Sequence, residues 1–382
     1  MTERGIRLVL SAGEASGDQL GADLARALRL LDPEIRLAGI AGPEMQAAGV
    51  EAWFDLDALN VMGLAEVVRH LPRLMRLRRS FAARIAAWQP DAFVGIDAPD
   101  FNLRLARQLR RKGLKTAHYV APTVWAWRPG RAARTARAVD LLLALFPFEP
   151  ALFMPHGLPT RFVGHPLADR IVDAELSPGR RQRDRIVLLP GSRRGEIDRH
   201  LELLTETAEW LHRRQPQLTM TMLLARPEHA DLVSQHAGER LQAANVGLVV
   251  GETRDGLSRA AVAVSASGTA TLEAFLLECP LVVFYRLAPL TYGLLKTLRL
   301  VRSRHIALPN ILVGTGLVPE FVQREARADR LGSEALAWLE NPARVEHYRS
   351  AAAECRDRLA AGAGENAARA VLELVGHVAD RP

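Results

Sequence analysis

The sequence predicts an α/β protein built from two doubly wound, parallel-sheet halves. Three observations carry that prediction. Short apolar runs alternate with helix-length amphipathic segments along most of the chain. The alternation restarts after a polar, Arg-rich stretch at residues 177–185. The 382 residues also exceed what one hydrophobic core usually organises, roughly 250–300 residues.

Arg7–Ser11 reads as the first strand, and Leu20, Leu24, Leu28 and Leu31 recur behind it at helical spacing. Arg36–Ile40, Ala92–Ile96, Thr116–Val120 and Leu141–Leu145 read as further strands, each followed by enough chain for a crossover helix. The second half repeats the theme at Ile186–Leu189, Met220–Leu224, Val246–Val250, Val262–Ser265 and Leu281–Phe284. The expected division is a first domain at residues 1–168, a second at 169–341, and helices at 342–382 that pack back toward the first domain.

Composition narrows the function. With 48% hydrophobic and 24% charged residues the chain has material for two ordinary cores. Its two cysteines, Cys279 and Cys355, are far apart and lack CxxC spacing, which disfavours a disulfide framework or zinc site and fits a reducing compartment. The opening apolar run is short and ends in glycine and acid, so it reads as a strand rather than a signal peptide. No apolar stretch approaches the ~18–20 residues of a membrane span. The net charge of +7 points to polyanionic partners: nucleic acid, anionic lipid or phosphorylated substrate. An Arg-rich solvated surface would give the same total.

Ligands of parallel sheets sit beyond the carboxyl ends of the strands, so the loops there come first. The loop Gly13-Glu-Ala-Ser-Gly-Asp18 offers glycines and a following helix start, with Glu14 and Ser16 as ligand-facing candidates. It matches neither GxGxxG nor the P-loop, and Ser16 or Asp18 would serve equally as a helix cap. In Gly95-Ile-Asp-Ala-Pro-Asp-Phe-Asn102, a carboxylate ends a buried strand, where Asp97 could take a proton from a sugar hydroxyl. Asp100 and Asn102 read there as helix caps. In Thr123-Val-Trp-Ala-Trp-Arg128, Trp125 and Trp127 resemble a platform for a sugar ring or acyl chain, and core packing is the plainer reading.

In the second half, Leu189-Pro-Gly-Ser-Arg-Arg-Gly-Glu196 opens a helix, and Ser192 and Arg193 suit a diphosphate. Ser265-Ala-Ser-Gly-Thr-Ala-Thr-Leu-Glu273 places Ser267, Gly268 and Thr269 at another helix start, with Glu273 one turn in, placed to accept ribose hydroxyls. Two loops of this kind in one half favour a nucleotide. Cys279–Pro319 contains no acid but carries Arg286, Lys296, Arg299, Arg302, Arg304 and His305 among apolar residues. Met62–Trp88 is a second basic amphipathic segment, interrupted at Pro72 and predicted as two pieces. Two such segments point to an anionic membrane surface. There is no His/Cys/Asp cluster with metal spacing and no GxSxG elbow, and His118, His156 and His165 read as isolated structural residues.

These motifs, with Val61-Met-Gly63, His118-Tyr-Val, Pro147-Phe-Glu149, Val163-Gly-His165 and Leu308-Pro-Asn310, occur in an order that resembles the lipid-A-disaccharide synthase family from about residue 7 to residue 320. The resemblance implies a GT-B architecture, two Rossmann-like domains facing a central cleft. It implies transfer of 2,3-diacylglucosamine from a UDP-activated donor to 2,3-diacylglucosamine 1-phosphate, forming a β-1,6 link with inversion, without metal or cofactor. By the same resemblance Asp97 aligns with the general base, Arg193 with an arginine needed for activity, and Glu273 and Asn310 with the nucleotide site. A homodimer, peripheral on the cytoplasmic face of the inner membrane, with no nucleic-acid partner, completes the expectation. Thr271 replaces the family's usual alanine and Arg194 stands where the family varies. A UDP-N-acetylglucosamine epimerase is the alternative that shares the two-lobed nucleotide site. A nucleic-acid binder would use the charge, but the aromatics are few and the basic segments are interleaved with leucine.

Overall fold

Each strand pairs in parallel with its neighbours in two separate sheets, so each sheet gathers its strand-to-helix loops along one edge. The computed structural model describes residues 5–59, 64–125, 130–173, 181–287 and 305–377. One compact unit runs to Asp169 and resumes from Leu359; the other is Arg170–Arg358.

The first unit contains β1 (Arg7–Ala12), α1 (Ala15–Leu31), β2 (Arg36–Ala41), α2 (Pro43–Ala47), β3 (Glu51–Asp55), α3 (Leu64–Trp88), β4 (Ala92–Ile96), α4 (Pro99–Arg110), β5 (Lys115–Tyr119), α5 (Gly130–Ala136), β6 (Leu141–Ala144), α6 (Pro150–Phe153) and β7 (Thr160–Phe162), and α7 (Pro166–Asp173) follows. The strand order is β3-β2-β1-β4-β5-β6-β7. The chain winds outward through β2 and β3, then returns to the other flank of β1. That reversal leaves a crevice between the carboxyl ends of β1 and β4.

The second unit contains β8 (Arg185–Leu189), α8 (Arg194–Arg214), β9 (Thr219–Leu224), α9 (Pro227–Ala243), β10 (Val246–Val250), α10 (Thr253–Arg259), β11 (Val262–Ala266), α11 (Thr269–Leu276), β12 (Leu281–Tyr285), α12 (Leu308–Val313), β13 (Glu320–Val322), α13 (Ala328–Glu340) and α14 (Pro342–Leu359). Its order, β10-β9-β8-β11-β12-β13, reverses in the same way between β8 and β11. The last helix, α15 (Ala363–Leu374), belongs to the first unit and packs on α1. Asp169 accepts hydrogen bonds from the Gly362 and Ala363 amides at 3.0 and 2.8 Å, which caps α15.

Apolar pattern explains most of this. The central strands β4, β6 and β11 are buried along their whole length, as expected of strands covered on both faces. Beneath the first sheet Phe81 of α3 meets Trp53, Phe54 and Phe93 edge to face at 5.7–6.4 Å. In the second unit Trp338 and Tyr348 pack edge to face at 5.4 Å, and their N–H and O–H donate to the carbonyls of Leu281 and Cys279. Both cysteines are buried thiols.

Three strands go beyond the apolar runs: β3, β7 and β13. They are short sheet-edge strands, half exposed, and lack a continuous apolar signal. Pro72 does not divide its segment; α3 is a single helix of 25 residues that carries it. A missing amide costs little where the flank is exposed, and residues 72 and 73 are exposed. The Val61-Met-Gly63 motif lies outside the described residues.

Asp18 is a buried carboxylate in the first turn of α1, not a cap of that helix. It accepts the amides of Gly42, Glu44 and Met45 at 2.8, 2.9 and 3.2 Å, closing the N-terminus of α2 from the neighbouring helix. Asp18→Ala leaves those amides without an acceptor and should lower stability by about 2–3 kcal/mol. Urea unfolding of the two proteins checks this; equal midpoints would contradict the role.

Candidate functional site

In the first unit the crevice is formed by the loops after β1 and β4. The β1 loop places Glu14 at the N-cap position of α1 and Ser16 in the first turn, both exposed. Neither Ser16 nor Asp18 caps the helix, and Glu14 makes no side-chain cap bond. Asp97 follows the last residue of β4, half-buried, and its amide donates to the carbonyl of Tyr119 at 2.9 Å. Asp97 and Ala98 both adopt left-handed conformations, with φ of 51° and 42°. The two loops touch: a Cβ on Gly13 would stand 2.1 Å from that of Ala98.

The capping roles expected of Asp100 and Asn102 do not hold. Ala98 is the N-cap of α4. Asp100 is solvent-exposed and pairs with Arg131 at 3.0 Å. Asn102 is buried and donates through its carboxamide nitrogen to the carbonyls of Asp97, Ser11 and Ile96 at 2.8, 3.0 and 3.3 Å. His118 lies on β5 in register with Gly95, fully buried, and burial pushes its pKa down to about 3, so the ring stays neutral.

Farther along the same edge, Trp125 is partly covered rather than a free platform. Its ring meets Phe148 edge to face at 6.0 Å; Phe148 stacks on Phe146 at 5.8 Å, and Phe146 leans on His165 at 5.5 Å. Trp127 and Arg128 lie outside the described residues. Beneath this aromatic run Glu149 is buried and accepts the amides of Leu145 and Phe146, both at 3.1 Å. Burial pushes its carboxyl up to about 7 against the pull of those two bonds.

In the second unit the crevice between β8 and β11 carries the two remaining loops. Ser192 and Arg193 are exposed at the start of α8, with Arg193 at its N-cap. Their amides donate to the carboxylate of Glu196 at 3.1 and 3.3 Å, so they are not open to a diphosphate as the sequence suggested. The Ser192 and Arg193 side chains are exposed, and the Arg193 guanidinium pairs with Glu196 at 3.7 Å. Across the crevice Gly268 is the N-cap of α11, and Gly268 and Thr269 are exposed. Ser267 is half-buried and its amide donates to Phe284 O at 2.9 Å. Thr271 turns its hydroxyl onto Gly268 O at 2.7 Å, and no side chain caps the helix.

Glu273 is half-buried one turn into α11, and burial raises its carboxyl pKa against the opposing fields of Arg254 and Arg170. Asn310 lies on α12, which packs on α11, but is buried with its carboxamide committed. It donates to Val318 O at 2.8 Å and to Glu320 at 2.6 Å, and accepts the Val318 amide at 2.7 Å. Its direct influence is therefore on the 314–320 loop.

His200 was not legible as a site residue. It is buried on α8 with its ring nitrogens 2.8 Å from Pro190 O and 3.3 Å from Arg286 O, joining the ends of β8 and β12 behind the Gly-Ser turn. Burial lowers its pKa, and a neutral ring donates to only one of the two carbonyls. The only sequence signal was a histidine one helical turn beyond Glu196, on the same face. Among the described residues no group of three or more His, Cys, Asp or Glu side chains could hold a metal ion, and no helix is long and apolar enough to cross a membrane. Of the acid-free segment, residues 288–304 lie outside the described residues, with Lys296, Arg299, Arg302 and Arg304.

A sequence profile for lipid-A-disaccharide synthetase matches residues 8–373. The lipid-A-disaccharide synthase of Alkalilimnicola ehrlichii is 45% identical over 391 residues, covering 97% of this chain and 99% of the relative. That of Xylella fastidiosa is 41% identical, covering 97% and 98%. This chain belongs to the lipid-A-disaccharide synthase family.

As a member of that family it is a glycosyltransferase of lipid A biosynthesis, on the GT-B fold. Solved structures agree in fold. The glycotransferase of kitacinnamycin superposes with a TM-score of 0.64 at 16% identity, covering 97% of this chain and 99% of that one. The UDP-GlcNAc 2-epimerase of Neisseria meningitidis, solved with UDP-GlcNAc, gives 0.62 at 13%, covering 97% and 99%. At that identity the likeness to epimerases is one of fold alone, and the family match settles the choice between epimerase and transferase.

The buried carboxyl of Glu149 makes a prediction for this family member. Its pKa is raised from 4.5 to about 7, so the folded state keeps a proton that the unfolded chain releases. The associated stability is complete below pH 4.5, declines as pH rises toward 7, and is level above. Glu149→Gln, which never ionises, should remove that component, worth about 3 kcal/mol at ~1.4 kcal/mol per pH unit. Urea unfolding at pH 4.5 and pH 7.5 would show it; identical pH slopes for both proteins would contradict it.

Proposed function

We propose that this chain transfers 2,3-diacylglucosamine from its UDP-activated form to the 6-hydroxyl of 2,3-diacylglucosamine 1-phosphate in one inverting, metal-independent displacement. Family membership over nearly the whole chain is the observation that carries this reading. Asp97 is the base. It takes the hydroxyl proton as the acceptor oxygen bonds to the anomeric carbon, while the bond from that carbon to the diphosphate breaks and UDP leaves with the electron pair. Its place at the end of β4, on a loop flanking the crevice, supports this role, because a base must stand where a substrate hydroxyl can reach it.

The second unit holds the donor. Negative charge grows on the diphosphate as it departs, and preorganised donors must meet it. The Arg193 guanidinium, the Ser192 hydroxyl and the first turn of α11 at Ser267, Gly268 and Thr269 supply them. Glu273, on the same helix, accepts the ribose hydroxyls. Glu14, Ser16 and Trp125 contact the acceptor. Asn310 serves the nucleotide by holding the loop it is bonded to.

In this reading the enzyme works as a homodimer on the cytoplasmic face of the inner membrane, a location that suits acylated substrates. In support, α3 beyond Pro72 exposes Arg73, Met75, Arg76 and Arg79, a basic surface with an apolar member.

With defined donor and acceptor, Asp97→Ala should lower turnover by about 10²- to 10⁴-fold, and Arg193→Ala by about 10²- to 10³-fold. A chelator should leave the rate unchanged. Mass spectrometry of the lipid products reads all three, and an Asp97→Ala enzyme near full turnover would remove the base. Replacing Arg73, Arg76 and Arg79 with glutamate should abolish flotation with anionic vesicles; retained flotation would remove α3 from the membrane contact.

A further inference from the structure

We propose that Asn102 is a positioning residue that holds the Asp97 carboxylate in its working orientation. The proposal rests on Asp97 being the base and adds the group that aims it.

Asn102 is fully buried in the first turn of α4, and its amide donates to Ala98 O at 3.0 Å within the helix. Its side chain turns back toward the strand ends. One carboxamide nitrogen stands within hydrogen-bond distance of three carbonyls: Asp97 at 2.8 Å, Ser11 at 3.0 Å and Ile96 at 3.3 Å. Two N–H groups therefore serve three acceptors, one of them shared. The orientation is dictated by chemistry, because the flipped amide would set its oxygen against three other oxygens. The Asn102 oxygen, by contrast, has no partner among the described residues, so the donor end is what the fold uses.

What the donor holds is strained. Asp97 and Ala98 are consecutive left-handed residues, neither of them glycine. Such a pair persists only where its surroundings enforce it. The bond to Asp97 O fixes the peptide that leaves Asp97, and with it the direction of the Cα–Cβ bond that carries the carboxylate. The bond to Ser11 O ties the same point to the loop carrying Glu14 and Ser16. The contact is close: a Cβ on Gly95 would lie 2.7 Å from that of Asn102. Glycine at 95 is thus needed for Asn102 to sit where it does.

Asn102→Asp keeps the size and exchanges two amide N–H donors for at most one carboxyl O–H. Turnover should fall about 10²-fold, the scale of a misplaced catalytic group, with donor and acceptor KM changing less than threefold. The double variant Asp97→Ala/Asn102→Asp should be no slower than Asp97→Ala alone, because there is then no base to aim. Gly95→Ala, which crowds Asn102 without altering it, should behave like Asn102→Asp. Rates are compared per mole of folded protein, read from circular dichroism melts, so lost stability is not counted as lost chemistry. Near-normal kcat in Asn102→Asp, an effect confined to KM, or losses that multiply with Asp97→Ala would each overturn the positioning role. If Asp97→Ala itself turned over normally, the base assignment would fall first; an inactive Asp97→Ala beside an active Asn102→Asp would sink only this inference.

Discussion

The reversal of strand order in each sheet is the constraint on which everything else depends. Crossover connections of one hand force a parallel sheet to grow in one direction from its starting strand, and the chain must return to that strand to grow in the other. Where it returns, two strand-to-helix loops diverge and leave a crevice that no helix covers. The loops after β1 and β4, and those after β8 and β11, flank these two crevices. Asp97, Glu14 and Ser16 stand at the first; Ser192, Arg193, Ser267, Gly268 and Thr269 stand at the second. The proposed chemistry uses the positions that topology leaves open.

Around each crevice, buried polar groups are spent on holding loops rather than on ligands. Asp18 and Glu149 bind backbone amides, Asn102 and His200 face backbone carbonyls, and Asn310 does both. A loop cannot supply its own hydrogen-bond partners as a helix or strand does, and a buried unpaired amide or carbonyl is costly. Fixing these loops in advance means that ordering them does not fall on substrate binding. Glu196 is the instructive case. It accepts the Ser192 and Arg193 amides and also pairs with the Arg193 guanidinium at 3.7 Å, so it braces both the backbone and the cation of this loop.

The relation to nucleotide-sugar epimerases fits this division. Structures at 13–16% identity share the architecture, because winding rules and buried strands need only apolar pattern, not particular residues. Chemistry resides in a few side chains at the loop ends, and the transferase relatives match this chain at 41–45% identity over nearly its whole length.

The sequence by itself determined the two-sheet α/β plan, the central strands and the glycine-bearing loops at their ends, to which the chemistry is assigned by proposal. Buried parallel strands must be written as continuous apolar runs, and close backbone approach must be written with glycine. Its ordered motifs also determined the family. It did not reveal β3, β7 and β13, whose half-exposed edges need no apolar run, nor the continuity of α3 through Pro72. Tertiary structure alone decided the partners of the polar residues. Asp18 and Asn102 each had a local reading as a cap, Asn310 was assigned to the nucleotide site by resemblance, and Glu196 had no reading of its own. Asp18 and Asn102 instead reach elements distant in sequence, and Glu196 and Asn310 close loops a few residues away. Hydrogen bonds of this kind depend on which backbone groups the fold strands nearby, and a one-dimensional pattern does not carry that information.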